Sequence, residues 1–88
     1  MKVEFRESFA KDLRTVQVRV VLARVKAVIA AVEKAKSLFE LQQLKKLKGH
    51  ENYYRLRIGN YRVGLVIEGD TVLFVRCLNR KDIYKYFP

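Results

Sequence analysis

The side chains best suited to chemistry in this sequence are arginines that recur along one short stretch. Arg55, Arg57 and Arg62 lie close together, and Arg80 follows later in the chain. A guanidinium group donates forked hydrogen bonds to phosphate oxygens and stays protonated at neutral pH. Arginines that the fold brings together could therefore hold a phosphate group and neutralise the negative charge that develops on it during a reaction.

No other set of reactive side chains competes with these arginines. The chain has one histidine, His50, and one cysteine, Cys77, so neither a Cys/His zinc cluster nor an internal disulfide is expected. It also has no Ser/His/Asp set, no paired carboxylates and no Gly-rich phosphate loop. We therefore expect no cofactor and no metal, and we interpret His50 as an exposed residue of a turn.

The composition indicates a small basic protein with a single core. Its 88 residues include 19 Lys or Arg and 9 Asp or Glu, for a net charge of +10, and half of them are apolar. This length predicts one domain over residues 1–88. The charge favours a polyanion such as nucleic acid, although a basic surface tuned for solubility gives the same composition. With no apolar run long enough to span a membrane and no signal peptide, we expect a cytoplasmic protein.

Hydrophobic periodicity predicts a strand followed by two helices. Residues 2–5 alternate polar and apolar side chains, and Ser8 is placed to cap the first helix. Apolar residues then recur at helical spacing over residues 18–35. A second apolar row lies on another side of this helix and comprises Val16, Val20, Ala23, Ala27 and Ala30. We expect that row to contact either the first helix or another protein.

The period changes to two after a connecting stretch at residues 37–49. Three strands follow, at residues 52–58, 61–67 and 71–78. The turns Gly59-Asn60 and Gly69-Asp70 are typical of two-residue hairpins. We predict an α+β fold with an N-terminal strand and a two-helix hairpin packed on one face of a small, mainly antiparallel, twisted sheet.

The hairpin turns also predict which residues share a face of the sheet. Arg57 opposes Arg62, and Arg55 opposes Gly64. Arg62 in turn opposes Cys77, so that the three arginines and the thiol lie on one face. Like charges across a ladder are unfavourable, which favours a bound anion over a merely solvated face. Gly64 would let that ligand approach the sheet, although a bulge also explains a strand glycine.

The other face should be the core side, covered by the two helices. It comprises Tyr54, Leu56, Ile58, Tyr61, Val63, Leu65, Ile67, Val72, Phe74 and Leu78. On the arginine face, Arg62 would lower the pKa of the Cys77 thiol. No base lies beside that thiol, so a small buried residue is the favoured interpretation of Cys77.

Three segments of the chain together resemble the RelE/ParE superfamily, the toxins of bacterial and archaeal type II toxin–antitoxin pairs. They are Lys45-Lys-Leu-Lys-Gly49, Tyr54-Arg-Leu-Arg-Ile-Gly-Asn-Tyr-Arg-Val63 and Leu78-Asn-Arg-Lys-Asp-Ile-Tyr84. The resemblance covers nearly the whole chain and implies the RelE-like fold. It is greatest to the RelE branch, which implies a ribosome-dependent endoribonuclease, or mRNA interferase, that cleaves mRNA in the ribosomal A site without a metal and inhibits translation.

The same resemblance implies roles for individual residues. The catalytic basic residues of the family's sheet map onto Arg55, Arg57 and Arg62, and the one after the last strand maps onto Arg80. The family usually has lysine where this chain has Arg55 and Arg57. Because arginine stays protonated, we expect it to clamp the phosphate electrostatically rather than to transfer a proton.

The resemblance also implies aromatic and basic contacts to RNA. A tyrosine that stacks on mRNA maps to either Tyr84 or Tyr86. Further side chains expected to bind RNA or the ribosome are Lys45, Lys46, Lys48, Tyr53 and Lys81.

The implied partners are the ribosome with its mRNA and a cognate RelB-like antitoxin, which should be amphipathic and acidic. Two other functions stay open at this point. Members of the ParE branch inhibit DNA gyrase and do not cleave RNA, and a non-catalytic basic module that only binds nucleic acid would have the same composition.

Overall fold

Five strands form one mixed sheet in the computed structural model, which describes residues 1–88. The strands are β1 (Lys2–Phe5), β2 (Leu44–Lys46), β3 (Tyr53–Ile58), β4 (Tyr61–Glu68) and β5 (Thr71–Asn79). Their order across the sheet is β1-β5-β4-β3-β2. β1 pairs with β5 in parallel, and the other neighbours are antiparallel. The helices are α1 (Glu7–Thr15), α2 (Arg19–Lys34) and α3 (Arg80–Tyr86), with a short 3₁₀ helix at Leu38–Glu40.

The predicted α+β architecture is confirmed on the core side of the sheet. Side chains of α1 and α2, among them Phe9, Val25 and Val32, are buried in one cluster with Val63 and Phe74 of the sheet. The helices therefore cover the face that strand alternation predicted. Neither α2 nor any other helix has the length and apolar content needed to cross a membrane.

The start of the first helix differs from the prediction. The residue that caps α1 is Arg6, and Ser8 lies inside the helix. The Ser8 hydroxyl instead donates a hydrogen bond of 2.6 Å to the backbone carbonyl of Val75 in β5. A long-range acceptor on the sheet has therefore replaced the local capping role that the sequence predicted.

The predicted register is confirmed between β3 and β4 and is wrong along the second half of β5. Arg57 pairs with Arg62, as the Gly59-Asn60 turn requires. Between β4 and β5 a β-bulge shifts the register at Gly64, which pairs with Arg76. Because the extra residue moves every later side chain to the other face, Cys77 lies on the core side.

The same bulge moves Leu78 out of the predicted core. Leu78 pairs with Arg62 and packs in a second, smaller cluster on the opposite face of the sheet. That cluster is built on Ile83 and Phe87 from α3 and the residue after it, with Leu47 from the β2–β3 connection. The face predicted to be open is therefore half covered by a third helix.

Gly64 has a packing role on this face. A Cβ atom at position 64 would lie 2.7 Å from ring atoms of Phe87, well inside van der Waals contact. The space that the glycine leaves is filled by an aromatic ring, so the predicted ligand approach at Gly64 is wrong. Phe87 also lies against Tyr53, with ring centroids 5.6 Å apart.

The stretch predicted as a connection contains β2, a strand of three residues. It pairs with β3, placing Lys45 opposite Arg55 and Lys46 opposite Tyr54. A strand this short has too few residues for its alternation to be recognised in the sequence.

The second apolar row of α2 is largely exposed. Val16 is buried but lies at the end of α1, before α2 begins; within α2, 66% of Val20 is accessible, and Ala23, Ala27 and Ala30 are exposed as well. Contact with the first helix therefore accounts for only one end of the row.

Gly64→Ala is expected to destabilise the protein by about 1–3 kcal/mol, because the added methyl overpacks the contact with Phe87. Urea unfolding followed by circular dichroism measures the loss. The same substitution in a Phe87→Leu background should be less harmful, since leucine can move away from the new methyl. Equal losses in both backgrounds would contradict this role for Gly64.

Candidate functional site

The three sheet arginines predicted from the register lie around one cleft. This arginine cleft, of about 510 Å³, is lined by Gln43, Leu44, Lys45, Arg55, Arg57, Arg62 and Tyr84. Strand alternation brings the charges together, because Arg57 pairs with Arg62 and Lys45 pairs with Arg55 across neighbouring ladders. The sequence-predicted cluster is therefore present and gains Lys45 from the strand that was not predicted.

The cations of the arginine cleft have no acidic partners. The two ion pairs of the structure join Glu7 to Lys11 and Asp12 to Arg76, and both lie elsewhere. Cross-strand pairs of like charge are unfavourable by several tenths of a kcal/mol each, on the order expected for directly opposed residues. An anion bound between these side chains would remove that repulsion.

Arg62 is held in a defined orientation. Its Nη1 donates hydrogen bonds of 2.9 Å to the carbonyl oxygens of Gly59 and of Tyr61 in the adjoining turn. Both bonds use the same nitrogen, so the Nε–H and Nη2 groups remain for a ligand. A guanidinium fixed in this way loses little further conformational freedom when it binds a phosphate.

The two candidate stacking tyrosines lie in different places. The Tyr84 ring lies 4.5 Å from the Arg55 guanidinium and lines the cleft, and 68% of the residue is exposed. Tyr86 does not line the cleft, and its ring lies 5.7 Å from the Arg76 guanidinium. Residues two apart on a helix point in nearly opposite directions, which explains the separation. Only Tyr84 is therefore brought together with the sheet arginines.

Arg80 and Lys81 lie at the start of α3, outside the lining of the cleft. The backbone N–H of Arg80 donates to the carbonyl oxygen of Asn60, and the Lys81 N–H donates to the Asn79 side chain. These bonds fix the first turn of α3 beside the β3–β4 turn that holds Arg62. Arg80 and Lys81 are both exposed.

The remaining predicted contacts are spread over the surface. Lys46 faces away from the cleft because it alternates with Lys45 along β2, and Lys48 lies in the exposed turn after that strand. His50 is exposed in the same turn, as predicted. Tyr53 is half-buried between the rings of His50 and Phe87, so part of its surface supports the fold.

Two residues that the sequence did not single out form the only ion pair between different elements. Asp12 of α1 is 8% exposed, and its carboxylate accepts bonds of 2.7 and 3.0 Å from the Arg76 guanidinium. It also accepts the backbone N–H of Cys77 at 2.9 Å. The hydrogen bond with Asp12 raises the pKa of Arg76 above its ordinary value, so the guanidinium stays protonated. The one sign of this ion pair in the sequence is that Asp12 falls at a buried position within the apolar pattern of α1.

Cys77 does not take part in the basic cluster. Burial raises the pKa of its thiol from 9.0 to about 11, and the nearby Asp12 carboxylate acts in the same direction. The predicted lowering by Arg62 is wrong because the bulge places the two residues on opposite faces. The alternative, a small buried residue, is confirmed.

The arrangement as a whole can bind a phosphate diester and an adjacent aromatic base. Forked guanidinium donors face one cleft, and an exposed tyrosine ring forms part of its wall. No group of three or more His, Cys, Asp or Glu side chains is arranged to hold a metal ion. Fold and site thus define a small α+β protein with an uncompensated cationic cleft beside a C-terminal helix.

Comparison with known proteins identifies the family within this class. Residues 3–84 match the family described as ParE toxin of type II toxin–antitoxin system, parDE. The chain is 47% identical over its full length to Toxin RelE3 of Methanocaldococcus jannaschii, all of which is covered. The chain therefore belongs to the ParE toxin family of type II toxin–antitoxin systems.

Solved structures agree with this assignment. A chain of the RelB–RelE antitoxin–toxin complex from Methanococcus jannaschii superposes with a TM-score of 0.84 at 44% identity, covering 97% of this chain and 99% of that one. YafQ from E. coli has a TM-score of 0.75 at 14% identity, with 94% and 97% covered, and so shares the fold. The resemblance found in the three sequence segments is confirmed.

The raised pKa of Cys77 predicts how stability changes at alkaline pH. The folded protein keeps the thiol protonated up to about pH 11, whereas the unfolded chain ionises it from about pH 9. The free energy of unfolding should therefore fall as the pH rises through this window. The measurement is a comparison of unfolding curves of the parent and of Cys77→Ala between about pH 8, below the ordinary cysteine pKa, and about pH 11. The difference between the two proteins gives the contribution of the thiol, because the tyrosines and lysines are common to both. Parallel curves would contradict it.

Proposed function

We propose that this chain is the toxin of a type II toxin–antitoxin pair and acts as a ribosome-dependent endoribonuclease on mRNA in the A site. The observation that carries the proposal is the arginine cleft, where Arg55, Arg57 and Arg62 converge without an acidic partner. The relatives named RelE support the same branch of the family. Three guanidinium groups around one cleft can hold the scissile phosphate of an RNA and neutralise the charge that develops on it during cleavage.

The proposed reaction is attack of the ribose 2′-oxygen on the adjacent phosphorus. The 2′-hydroxyl gives up its proton to water as the new P–O bond forms, the bond from phosphorus to the 5′-oxygen breaks, and that oxygen takes a proton from water, leaving a 2′,3′-cyclic phosphate and a 5′-hydroxyl end. Negative charge grows on the non-bridging oxygens in the transition state, and donors already aimed at that position lower its energy. Arg62, oriented by its bonds to Gly59 and Tyr61, and Arg57 opposite it are assigned to those oxygens.

Alignment of the attacking and leaving oxygens is assigned to the ribosome together with Tyr84. One face of the Tyr84 ring is occupied by Arg55, and the exposed remainder is available to stack on a base. Holding the base fixes the sugar and brings its 2′-hydroxyl into line with the phosphorus. Arg80, exposed at the start of α3 beside the β3–β4 turn, is assigned to the charge that develops on the leaving 5′-oxygen.

Arg62→Ala should lower the rate of mRNA cleavage on programmed ribosomes by about 100-fold or more, as expected when a transition-state hydrogen-bond donor is removed. The measurement is a single-turnover assay with labelled mRNA and the purified protein. Arg62→Lys should recover only part of the rate, because lysine keeps the charge and loses the fork.

Arg19→Ala is the matched control, since Arg19 is an exposed arginine at the start of α2, outside the cleft. It should cleave at the parent rate. Undiminished cleavage by Arg62→Ala would overturn the assignment of the cleft. Absence of cleavage by the parent protein, together with inhibition of DNA gyrase in a supercoiling assay, would replace the proposed function by that of the ParE branch.

We also propose that a cognate RelB-like antitoxin covers the apolar side of α2 and the cleft together. A groove of about 370 Å³ runs between α2 and residues 41–43, lined by Ala27, Val28, Ala31 and Leu41 among others. This α2 groove shares Gln43 and Arg57 with the arginine cleft. An antitoxin segment with apolar residues followed by acidic ones fits this continuous path, because each part meets its complement.

Cells that produce this chain alone should grow poorly, and co-expression of the neighbouring antitoxin gene should restore growth.

Ala31→Arg places a charge in the α2 groove and should weaken antitoxin binding by about 100-fold, on the order of other desolvated charges at interfaces, while leaving ribosomal cleavage unchanged. Glu33→Arg, on an exposed position of the same helix outside both the groove lining and the apolar row, is the control. Equal binding by both variants, measured by titration calorimetry, would place the antitoxin elsewhere.

A further inference from the structure

Helix α3 carries the tyrosine proposed to stack on RNA, yet it is too short to fix its own position. It spans seven residues, Arg80–Tyr86, and helices of that length are marginal in isolation. Ile83 and Phe87 anchor its buried side on the sheet. The bond from the Arg80 N–H to the Asn60 carbonyl fixes its first turn, so the rotation that exposed side chains can control is that of the last turn, which carries Tyr84 and Tyr86.

Two arginine–tyrosine contacts hold α3 from opposite sides. Arg55 lies 4.5 Å from the Tyr84 ring on the cleft side, and Arg76 lies 5.7 Å from the Tyr86 ring on the other side. Arg55 has no acidic partner and is itself free to move with a ligand. Arg76 is different, because its Nε and Nη2 groups both donate to the Asp12 carboxylate.

Asp12 is in turn fixed by the sheet. It accepts the backbone N–H of Cys77 and is almost fully buried beneath α1. The chain of contacts therefore runs from a backbone amide of β5 through Asp12 and Arg76 to the Tyr86 ring. The hydrogen bonds of this chain are directional, and the bidentate carboxylate fixes the plane of the guanidinium that lies 5.7 Å from the Tyr86 ring.

We propose that Asp12, Arg76 and Tyr86 are positioning residues that set the rotation of α3 and thereby hold Tyr84 over Arg55 at the arginine cleft. Tyr86 is two residues from Tyr84, so a rotation that releases one ring displaces the other. This inference rests on the proposed function for its effect on RNA cleavage. Its structural claim, the dependence of the Tyr84–Arg55 contact on Tyr86, stands independently of any reaction.

Nuclear magnetic resonance of the full chain tests the structural claim directly. The Tyr84 ring current shifts the side-chain proton signals of Arg55, and Tyr84→Ala gives the reference spectrum in which that shift is lost. Tyr86→Ala should move the Arg55 signals most of the way to this reference, with the methyl signals of the core residues Val63 and Val72 unchanged. Tyr86→Phe keeps the ring and should leave the Arg55 signals at their parent positions.

Arg76→Lys provides a second variant that keeps the charge opposite Asp12 and removes the flat, forked group. It should reproduce the Tyr86→Ala spectrum while thermal unfolding shows the protein still folded. Arg55 signals that stay at the parent positions in both Tyr86→Ala and Arg76→Lys would overturn the inference.

Cleavage on programmed ribosomes supplies the second readout. Tyr86→Ala should lower the single-turnover rate about tenfold, because a displaced ring no longer aligns the substrate, and Tyr86→Phe should restore it. If the parent protein does not cleave mRNA, the proposed function fails and the spectra still decide the inference. If Arg62→Ala abolishes cleavage while Tyr86→Ala leaves both rate and spectra unchanged, the function stands and the inference is wrong.

Discussion

The carboxylate of Asp12 accepts a hydrogen bond at the unpaired edge of β5, and the second half of that strand depends on it. β1 ends at Phe5, whose partner is Phe74, so the edge of β5 beyond that residue has no neighbouring strand. Unpaired backbone groups at a buried edge are costly unless another partner satisfies them. Helix α1 provides that partner, since Asp12 accepts the Cys77 N–H and Ser8 donates to the Val75 carbonyl. A helix thus completes the hydrogen bonding that a longer β1 would have supplied.

The bulge in β5 and these bonds support each other. Val75 is the extra residue between the Leu65–Phe74 and Gly64–Arg76 pairs, and beyond it the Cys77 amide and the Arg76 side chain both donate to Asp12. With the register shifted, Leu78 faces the second side of the sheet and joins Ile83 and Phe87. Without the shift, that side would offer α3 fewer apolar contacts. The local irregularity in β5 is therefore what allows a short C-terminal helix to pack beside the arginine cleft.

What the sequence predicted correctly depends on local rules. The Gly59-Asn60 turn determines the β3–β4 pairing, and the alternation of Arg55, Leu56 and Arg57 then assigns each side chain to a face. The arginine cluster follows from those two facts alone. Helix α2 was predictable for the same reason, because its periodicity extends over several turns.

What the sequence did not predict depends on contacts between distant residues. The bulge is accompanied by contacts of β5 with Ser8 and Asp12 of α1 and by the packing of Phe87 on Gly64, which join residues that are well separated in the chain. Without the bulge, alternation places Cys77 on the wrong face. β2 was not predicted because a strand of three residues is too short to show an alternation of polar and apolar side chains. Which of Tyr84 and Tyr86 lies near the sheet arginines depends on the position of α3, which the sequence alone does not give.

The charges that suit the arginine cleft to bind an anion also destabilise the sheet, and packing elsewhere in the fold offsets this destabilisation. The ladder pairs Arg57 with Arg62 although like charges repel, and no acid relieves them. The strands stay paired because the intervening Leu56 and Ile58 are buried against the helices. The hydrophobic effect on one face thus maintains an unfavourable arrangement of charges on the other. Any anionic partner that binds only the folded state stabilises it by mass action, so a phosphate or an acidic protein segment and the folded cleft reinforce each other.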